Sequence, residues 1–286
     1  MVEYILEARD VEFTYPDGTE ALRGVSVAIE KGQKVAFLGS NGSGKSTLFL
    51  HFNGILRAKR GKILFAGKDV SYDRSSLTEL RKHVGIVFQD PDTQLFSASV
   101  LQEISFGPMN LGLSKEYVLQ RVHAAMAATE ITELRDKPTH FLSYGQKKRV
   151  SIADILAMEP SVLICDEPTA WLDPQHTFRL LELFDRISQG GTTVVMSTHD
   201  VDAAYSWADY IFIMDAGRVI GAGPPEEVFQ NDGLLQQADL SRPWLVEVYA
   251  ELQNKGWLAY GTPVPRTKEE LFACIPATWA QKCLAK

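Results

Sequence analysis

No stretch of about 18 apolar residues occurs in this chain, so no transmembrane helix is expected. The first residues, Met1-Val2-Glu3-Tyr4, have neither a basic segment nor an apolar core, and no signal peptide is expected there. Cysteine is scarce. Cys165, Cys274 and Cys283 are an odd set without metal-ligand spacing, which excludes a disulfide framework and suits a reducing compartment. Cys165 lies within an apolar run and is expected to behave as a small buried hydrophobe. An excess of basic charge is also missing. The 29 Lys and Arg against 36 Asp and Glu give a net charge of −7, which opposes nucleic acid as the main partner. Arg57, Lys59, Arg60 and Lys62 do cluster, and this reads as a solvated charged surface. No long repeat and no low-complexity tract is present.

What is present is the composition of a globular protein: 286 residues, 45% hydrophobic and 23% charged, with room for one large or two modest domains. Val11–Tyr15 and Val25–Ile29 alternate as strands around the turn residues Pro16-Asp17-Gly18. Lys34–Leu38, Val84–Phe88, Val162–Cys165, Thr192–Met196 and Ile211–Met214 are short apolar runs typical of buried strands. Helices are expected from Lys45 to about Asn53, over Tyr117–Thr129, from Ser143 to about Met158, from Pro174 to Ser188 and from Val201. Apolar strands alternating with helices predict an α/β fold with a parallel sheet covered on both faces. The pattern changes after Gly223. A short helix opens at Pro224-Pro225-Glu226-Glu227 and another covers Pro243–Gln253. A proline-containing linker spans Thr262–Arg266, and a weakly amphipathic tail covers Leu271–Leu284.

The segment Gly39-Ser40-Asn41-Gly42-Ser43-Gly44-Lys45-Ser46-Thr47 fills every position of G-x-x-x-x-G-K-[ST] between a strand and a helix, the context such a phosphate loop requires. Its glycines let backbone N–H groups turn toward a β-phosphate, and the helix N-terminus adds its dipole. Lys45 is placed for the β- and γ-phosphates, and the Ser46 hydroxyl for Mg²⁺. Val162-Leu163-Ile164-Cys165-Asp166-Glu167 delivers two carboxylates at the C-terminal end of a buried strand, where open α/β sheets bind ligands. Asp166 suits Mg²⁺, and Glu167 suits the orientation of an attacking water. An Asp-Glu pair in that place is otherwise a helix cap; the phosphate loop upstream favours the catalytic role.

Leu142-Ser143-Tyr144-Gly145-Gln146 resembles the Leu-Ser-Gly-Gly-Gln signature of ATP-binding cassette (ABC) ATPases, with Tyr144 at the first glycine. The resemblance covers Val2 to Val228 and implies the P-loop NTPase ABC ATPase fold. That fold joins a mixed RecA-like core to an N-terminal antiparallel β subdomain and a helical signature subdomain at about residues 90–160. The catalytic domain would span 1–223, and a helical C-terminal extension, 224–286, would assist dimerisation. The resemblance further implies ATP and Mg²⁺ as cofactors, Gln89 as the residue that touches Mg²⁺ and reports nucleotide state, Asp173 as the acid of the loop after Glu167, His199 as the γ-phosphate switch, and Tyr15 as the adenine-stacking aromatic. Ser143, Gly145 and Gln146 would complete the site of a second copy, head to tail. Tyrosine tolerates positive φ poorly, so Tyr144 raises a question about the backbone there. Lys147-Lys148-Arg149 reads as the exposed side of the signature helix.

Two longer segments, Phe88–Phe96 and Ile104–Leu113, look like the ATPase subunits of energy-coupling factor importers, and Leu142–Val150 looks like their cobalt-importing branch. This implies a peripheral protein at the cytoplasmic face of the cell membrane. Its partners would be a second ATPase subunit, expected to be an identical chain, together with a transmembrane coupling subunit and a substrate-binding membrane subunit. Cobalt is the implied cargo, with nickel or a vitamin as the alternative. Phe96, Val100, Ile104 and Phe106 are either a groove for a coupling helix or core. A soluble ABC ATPase of DNA repair or translation is the competing class. It is opposed by the lack of a long coiled-coil insertion and by the single phosphate loop.

Overall fold

The computed structural model describes residues 3–258 and 263–275. Thr262 of the Thr262–Arg266 linker and residues 276–284 of the Leu271–Leu284 tail, Cys283 among them, lie outside the described residues. Among the described residues ten strands run in chain order: β1 (Tyr4–Thr14), β2 (Glu20–Glu30), β3 (Lys34–Leu38), β4 (Arg60–Phe65), β5 (Lys68–Asp69), β6 (Val84–Val87), β7 (Val162–Cys165), β8 (Thr193–Ser197), β9 (Tyr210–Asp215) and β10 (Arg218–Gly223). Eleven α-helices accompany them: α1 (Lys45–Phe52), α2 (Arg74–His83), α3 (Val100–Asn110), α4 (Lys115–Ala128), α5 (Tyr144–Leu156), α6 (Pro174–Gln189), α7 (Val201–Trp207), α8 (Pro225–Val228), α9 (Asp232–Gln237), α10 (Trp244–Asn254) and α11 (Lys268–Cys274).

β1 and β2 pair antiparallel and, with β4 and β5, form a four-stranded sheet. A six-stranded sheet has the order β10-β9-β3-β8-β7-β6, parallel from β9 to β6, with β10 antiparallel at the edge. One apolar core lies between the two sheets, with Leu6, Val25, Phe37, Phe49, Phe52 and Met214 all buried. A second covers the other face of the six-stranded sheet, where Leu38, Met196, Phe184 and Tyr205 join Phe229, Leu245 and Leu271 from the chain after β10. Cys165 is fully buried there, and burial pushes its thiol up to about 12.

A third core holds α3, α4 and α5 together around Val100, Ile104, Val122, Met126 and Val150. Two of the four candidate groove residues, Val100 and Ile104, are therefore core, while Phe96 and Phe106 stay exposed and meet edge-to-face at 4.9 Å. At the root of this layer sit two acids. Glu103, buried, accepts N–H bonds from Phe96 and Ser97 through Oε2, while its Oε1 is buried without a partner. Burial, aided by the Glu103 charge, pushes the nearby Asp154 carboxyl up to about 7.

Several elements depart from expectation, among them β4, β5, α2, β10 and α9. β4 begins with exposed charged residues, and α2 is mostly polar, with Leu77 and Leu80 as its short apolar stripe, so both are faint in composition. Asp73 nonetheless caps α2 by accepting the Ser76 N–H at 3.0 Å. The basic cluster disperses along this region, Arg60 toward Glu12, Lys62 onto Asp69, and Arg57 over the Tyr72 ring. Among the described residues no helix is long and apolar enough to cross a membrane.

Candidate active site

The register of the parallel strands gathers the site. Phe37 of β3 lies level with Ser197 of β8, Met196 of β8 with Cys165 of β7, and Cys165 with Val87 of β6. The next residues of each strand therefore emerge at one edge: Gly39 and its loop, Ser197 to His199, Asp166 and Glu167, and Gln89. This is the carboxyl end of the sheet, where the loops must collect. A cleft of about 1080 Å³ opens beside this edge, lined in part by Asn41, Gln89, Glu167, Trp171 and His199.

The phosphate loop wraps the start of α1. Gly39 and Gly44 adopt φ of 144° and 104°. A Cβ at Gly39 would stand 2.1 Å from the Met214 carbonyl, and one at Gly44 would stand 2.6 Å from the Ala21 carbonyl, so only glycine fits either position. No side chain caps α1, which leaves its first N–H groups for an anion. Lys45 folds back over the loop, donating to the Gly39 carbonyl at 2.7 Å and the Ser40 carbonyl at 3.1 Å. Burial lowers its pKa, opposed by the charges of Glu167 and Asp166. A phosphate would take over the role of these carbonyls. Ser46 is exposed at the same turn, whereas the Thr47 hydroxyl lies 3.1 Å from that of Tyr15, which fixes Tyr15 beside α1.

Asp166 and Glu167 are both buried. Ser197 links them: its Oγ donates to Asp166 Oδ1 at 2.5 Å and accepts the Glu167 N–H at 2.8 Å. Glu167 sits at φ 43°, a left-handed turn that diverts the chain sharply after β7. Its Oε2 lies 3.0 Å from His199 Nδ1, within hydrogen-bond distance, and its Oε1 is buried without a partner. Ser197 was not singled out in the sequence. A serine at a strand end carries no signal until the neighbouring strand is known.

Asp166, Ser46 and Gln89 form an oxygen-only donor set, which fits a hard cation such as Mg²⁺ completed by phosphate oxygens. Among the described residues no group of three or more His, Cys, Asp or Glu is poised for a metal. The uncapped α1 and the unpartnered Glu167 oxygen are consistent with a ligand entering between them.

Beyond Glu167 the chain places Trp171 at φ 65°, 85% exposed. Asp173 then caps α6 by accepting the His176 N–H at 3.0 Å, with His176 Nδ1 at 2.6 Å from its other oxygen.

Ser143 starts α5 with a capping box. Its Oγ accepts the Gln146 N–H at 3.3 Å, and its own N–H donates to Gln146 Oε1 at 3.0 Å. Tyr144 is the first helical residue and has no positive φ, so the question its side chain raised does not arise. Among the described residues no hydrogen bond joins Ser143, Gly145 or Gln146 to Gly39–Thr47. A Cβ at Gly145 would meet only Leu172 at 3.7 Å, so the first turn of α5 is open. Lys148 does not belong to an exposed face. It is 1% exposed and donates to the Gln89 carbonyl at 2.7 Å. Helical spacing turns residue 148 toward the loop after β6, which only the fold reveals.

Residues 22–170 match the ABC transporter family. An ABC transporter ATP-binding protein of Methanosarcina mazei is 49% identical over 267 residues, 93% of this chain; the chain spans 59% of that relative's length. The energy-coupling factor transporter ATP-binding protein EcfA of Methanocaldococcus jannaschii is 47% identical over 252 residues, covering 88% of this chain and 90% of that one. Among solved structures, cbiO1 of Clostridium perfringens, part of the ABC transporter complex cbiONQ, has a TM-score of 0.75 at 45% identity, covering 88% of this chain and 99% of its own.

Proposed function

This chain belongs to the ABC transporter family as an ATP-hydrolysing, energy-coupling factor type subunit, and from that premise we propose that two copies enclose two Mg-ATP molecules to drive an importer in the membrane. The observation that carries the reading is the separation of two half-sites on one chain. The phosphate loop, Asp166, Glu167 and His199 gather at the sheet edge, while Ser143 and Gly145 stand on an open helix start without a bond to that loop. A head-to-tail pair brings the second half-site of one chain onto the first of the other.

Within such a site the α1 N-terminus and Lys45 hold the β- and γ-phosphates, and Tyr15 stacks on the adenine. Ser46, Asp166 and Gln89 would hold Mg²⁺, which would supply charge neutralisation of the phosphates. Glu167 orients the water whose oxygen bonds to the γ-phosphorus as the bond to the β-phosphate oxygen breaks. Its position against His199 keeps the carboxylate aimed into the cleft. Ser143 Oγ, the Gly145 N–H and the α5 dipole of the partner copy stabilise the charge that develops on the γ-phosphate. Asp173, at the start of α6, shapes the loop between the two sites.

The proposed cargo is a transition-metal ion, cobalt first, with nickel or a vitamin as the alternative; the support is the likeness to the cbiO1 chain. The chain would sit peripherally on the cytoplasmic face of the cell membrane. It would contact a transmembrane coupling subunit through the exposed Phe96–Phe106 pair, and a substrate-binding membrane subunit would complete the importer. The segment after Gly223 would support the pairing of the two ATPase chains. Ser143→Arg tests the composite site. It should abolish hydrolysis while ATP binding to the isolated chain persists, and in a mixed pair with Lys45→Ala at most one site should remain active. Normal turnover in Ser143→Arg alone would exclude a site completed in trans.

A further inference from the structure

The chain after Gly223 holds both ends of α7, the seven-residue helix that begins just after His199. The last carbonyls of a helix have no partner within it. The Arg266 guanidinium, reaching across from the approach to α11, fills that gap. Its Nε donates to the Tyr205 carbonyl at 3.1 Å, and its Nη2 donates to the same carbonyl at 2.9 Å and to that of Ala208. A cation there also meets the negative end of the helix dipole. Arg266 is itself held: its N–H donates to Glu270 Oε2 at 2.7 Å, and Glu226 of α8 lies 3.5 Å from its Nε. At the start of α7, Asp202 Oδ1 accepts the Trp244 N–H at 2.9 Å, which caps α10 where Pro243 offers no side-chain acceptor.

His199 is fixed from the other side by β3 and by the helix cap. The Thr198 N–H donates to the Phe37 carbonyl at 3.1 Å, and the Asp200 N–H donates to Thr198 Oγ1 at 3.0 Å. Asp200 Oδ1 then caps α7 by accepting the Asp202 and Ala203 N–H groups at 3.0 Å each. His199 therefore sits in a short link between β8 and α7, and α7 sets where that link ends. A helix this short does not hold its form alone. Five of its seven residues are buried, and Tyr205 meets the Phe229 ring edge-to-face at 5.7 Å in a core shared with Leu245 and Leu271. The cleft that holds Glu167 and His199 continues along α7 to Trp244 and Arg266. From end to end α7 is about 10 Å long, so a shift at Arg266 is close to the imidazole.

We propose that Arg266 is a positioning residue for hydrolysis: by capping α7 it holds His199 at Glu167, so the chain after Gly223 is part of the catalytic scaffold in addition to its proposed part in pairing. The inference rests on the roles given above to His199 and Glu167. It assigns the segment a task in its own chain's site, whereas the pairing role concerns the second copy. The effect of Arg266 passes through α7 to the imidazole, which lies 3.0 Å from Glu167 Oε2. A slackened α7 lets His199 leave that distance, and Glu167 then loses the contact that aims it.

Arg266→Met removes the donors and keeps most of the stem. In the full chain, kcat for ATP hydrolysis should fall about tenfold, the size of one lost hydrogen bond to a charged group, with KM altered less than about twofold. Arg266→Lys keeps the charge without the planar fork and should lower kcat only about threefold; it carries the test if Arg266→Met does not fold. In a His199→Ala background, single-turnover hydrolysis should change less than about twofold on adding either substitution, because changes that act through one residue do not add. The His199 imidazole signal of labelled protein, assigned by its absence in His199→Ala, should move in Arg266→Met. Unchanged kcat in Arg266→Met, or in Arg266→Lys where only that variant folds, would overturn the proposal. So would an equal fall in both backgrounds, or an unmoved imidazole signal. ATP-driven pairing, measured in a Glu167→Gln background, should persist; pairing that falls in step with kcat would give the segment to pairing alone and overturn the proposal too. Normal turnover in His199→Ala would instead remove the role of His199 itself, whatever Arg266→Met does.

Discussion

His199 Nδ1 lies 3.0 Å from Glu167 Oε2, so the exposed histidine at the end of β8 holds the buried carboxylate that follows β7. The pair bridges two neighbouring strands, and each partner limits where the other can point. Glu167 keeps one oxygen on His199, and its other oxygen is buried without a partner in the chain.

Glu167→Gln keeps the shape and removes the basicity. Steady-state hydrolysis should fall by at least about a hundredfold, the usual worth of a positioned general base, while ATP binding persists. Size-exclusion chromatography with ATP should show an accumulated dimer. Near-normal turnover would reject the role assigned to Glu167.

Ser197→Ala tests the link between the two carboxylates. It leaves the Glu167 N–H and Asp166 Oδ1 without their shared hydroxyl. Loss of a hydrogen bond to a charged group costs about 1.5–3 kcal/mol, so kcat should drop by about tenfold or more. Because Asp166 belongs to the proposed cation donors, the Mg²⁺ concentration for half-maximal activity should rise as well. A variant with unchanged kcat and Mg²⁺ dependence would show that Ser197 only fills space.

Tyr15→Ala should raise KM for ATP by about three- to tenfold, the worth of one aromatic contact, with a smaller effect on kcat. Tyr15→Phe keeps the ring but loses the approach to the Thr47 hydroxyl, and should lie between the two. Equal affinity in all three proteins, measured with a fluorescent ATP analogue, would remove Tyr15 from the binding site.

Asp154 predicts a pH dependence with a definite sign. Its carboxyl is raised to about 7 by burial and by Glu103, so the folded chain favours the protonated acid. Ionisation then costs stability: the cost is absent below the ordinary carboxylate pKa, grows as pH rises toward about 7, and is constant above it. Asp154→Asn should therefore raise the thermal midpoint by several degrees at pH 8 and progressively less as pH falls toward 4. An equal effect at both pH values would show that the carboxyl titrates normally.

Local chemistry was legible in the sequence and lateral contacts were not. The phosphate loop announces itself because Gly39, Gly44 and Lys45 are neighbours in the chain, and the strand and helix on either side form as expected. Ser143 likewise announces its helix, since a capping box involves residues three apart. Ser197 and Lys148 act across strands or from helix to loop, on partners 31 and 59 residues away, and nothing local marks them. The groove residues divided for a related reason. Val100 and Ile104 differ from Phe106 in which way they turn from α3, Phe96 lies in the loop before that helix, and all four are apolar.

Trp171 holds a bulky side chain in a left-handed backbone and shows 85% of its surface to water. Such a conformation costs on the order of 1–3 kcal/mol, and glycine would adopt it at no steric cost. At 85% exposure the ring buries little within the single chain to offset this. In the proposed pair of chains, this outward ring beside the cleft lined by Glu167 and His199 would be one half of a contact whose other half the second copy supplies.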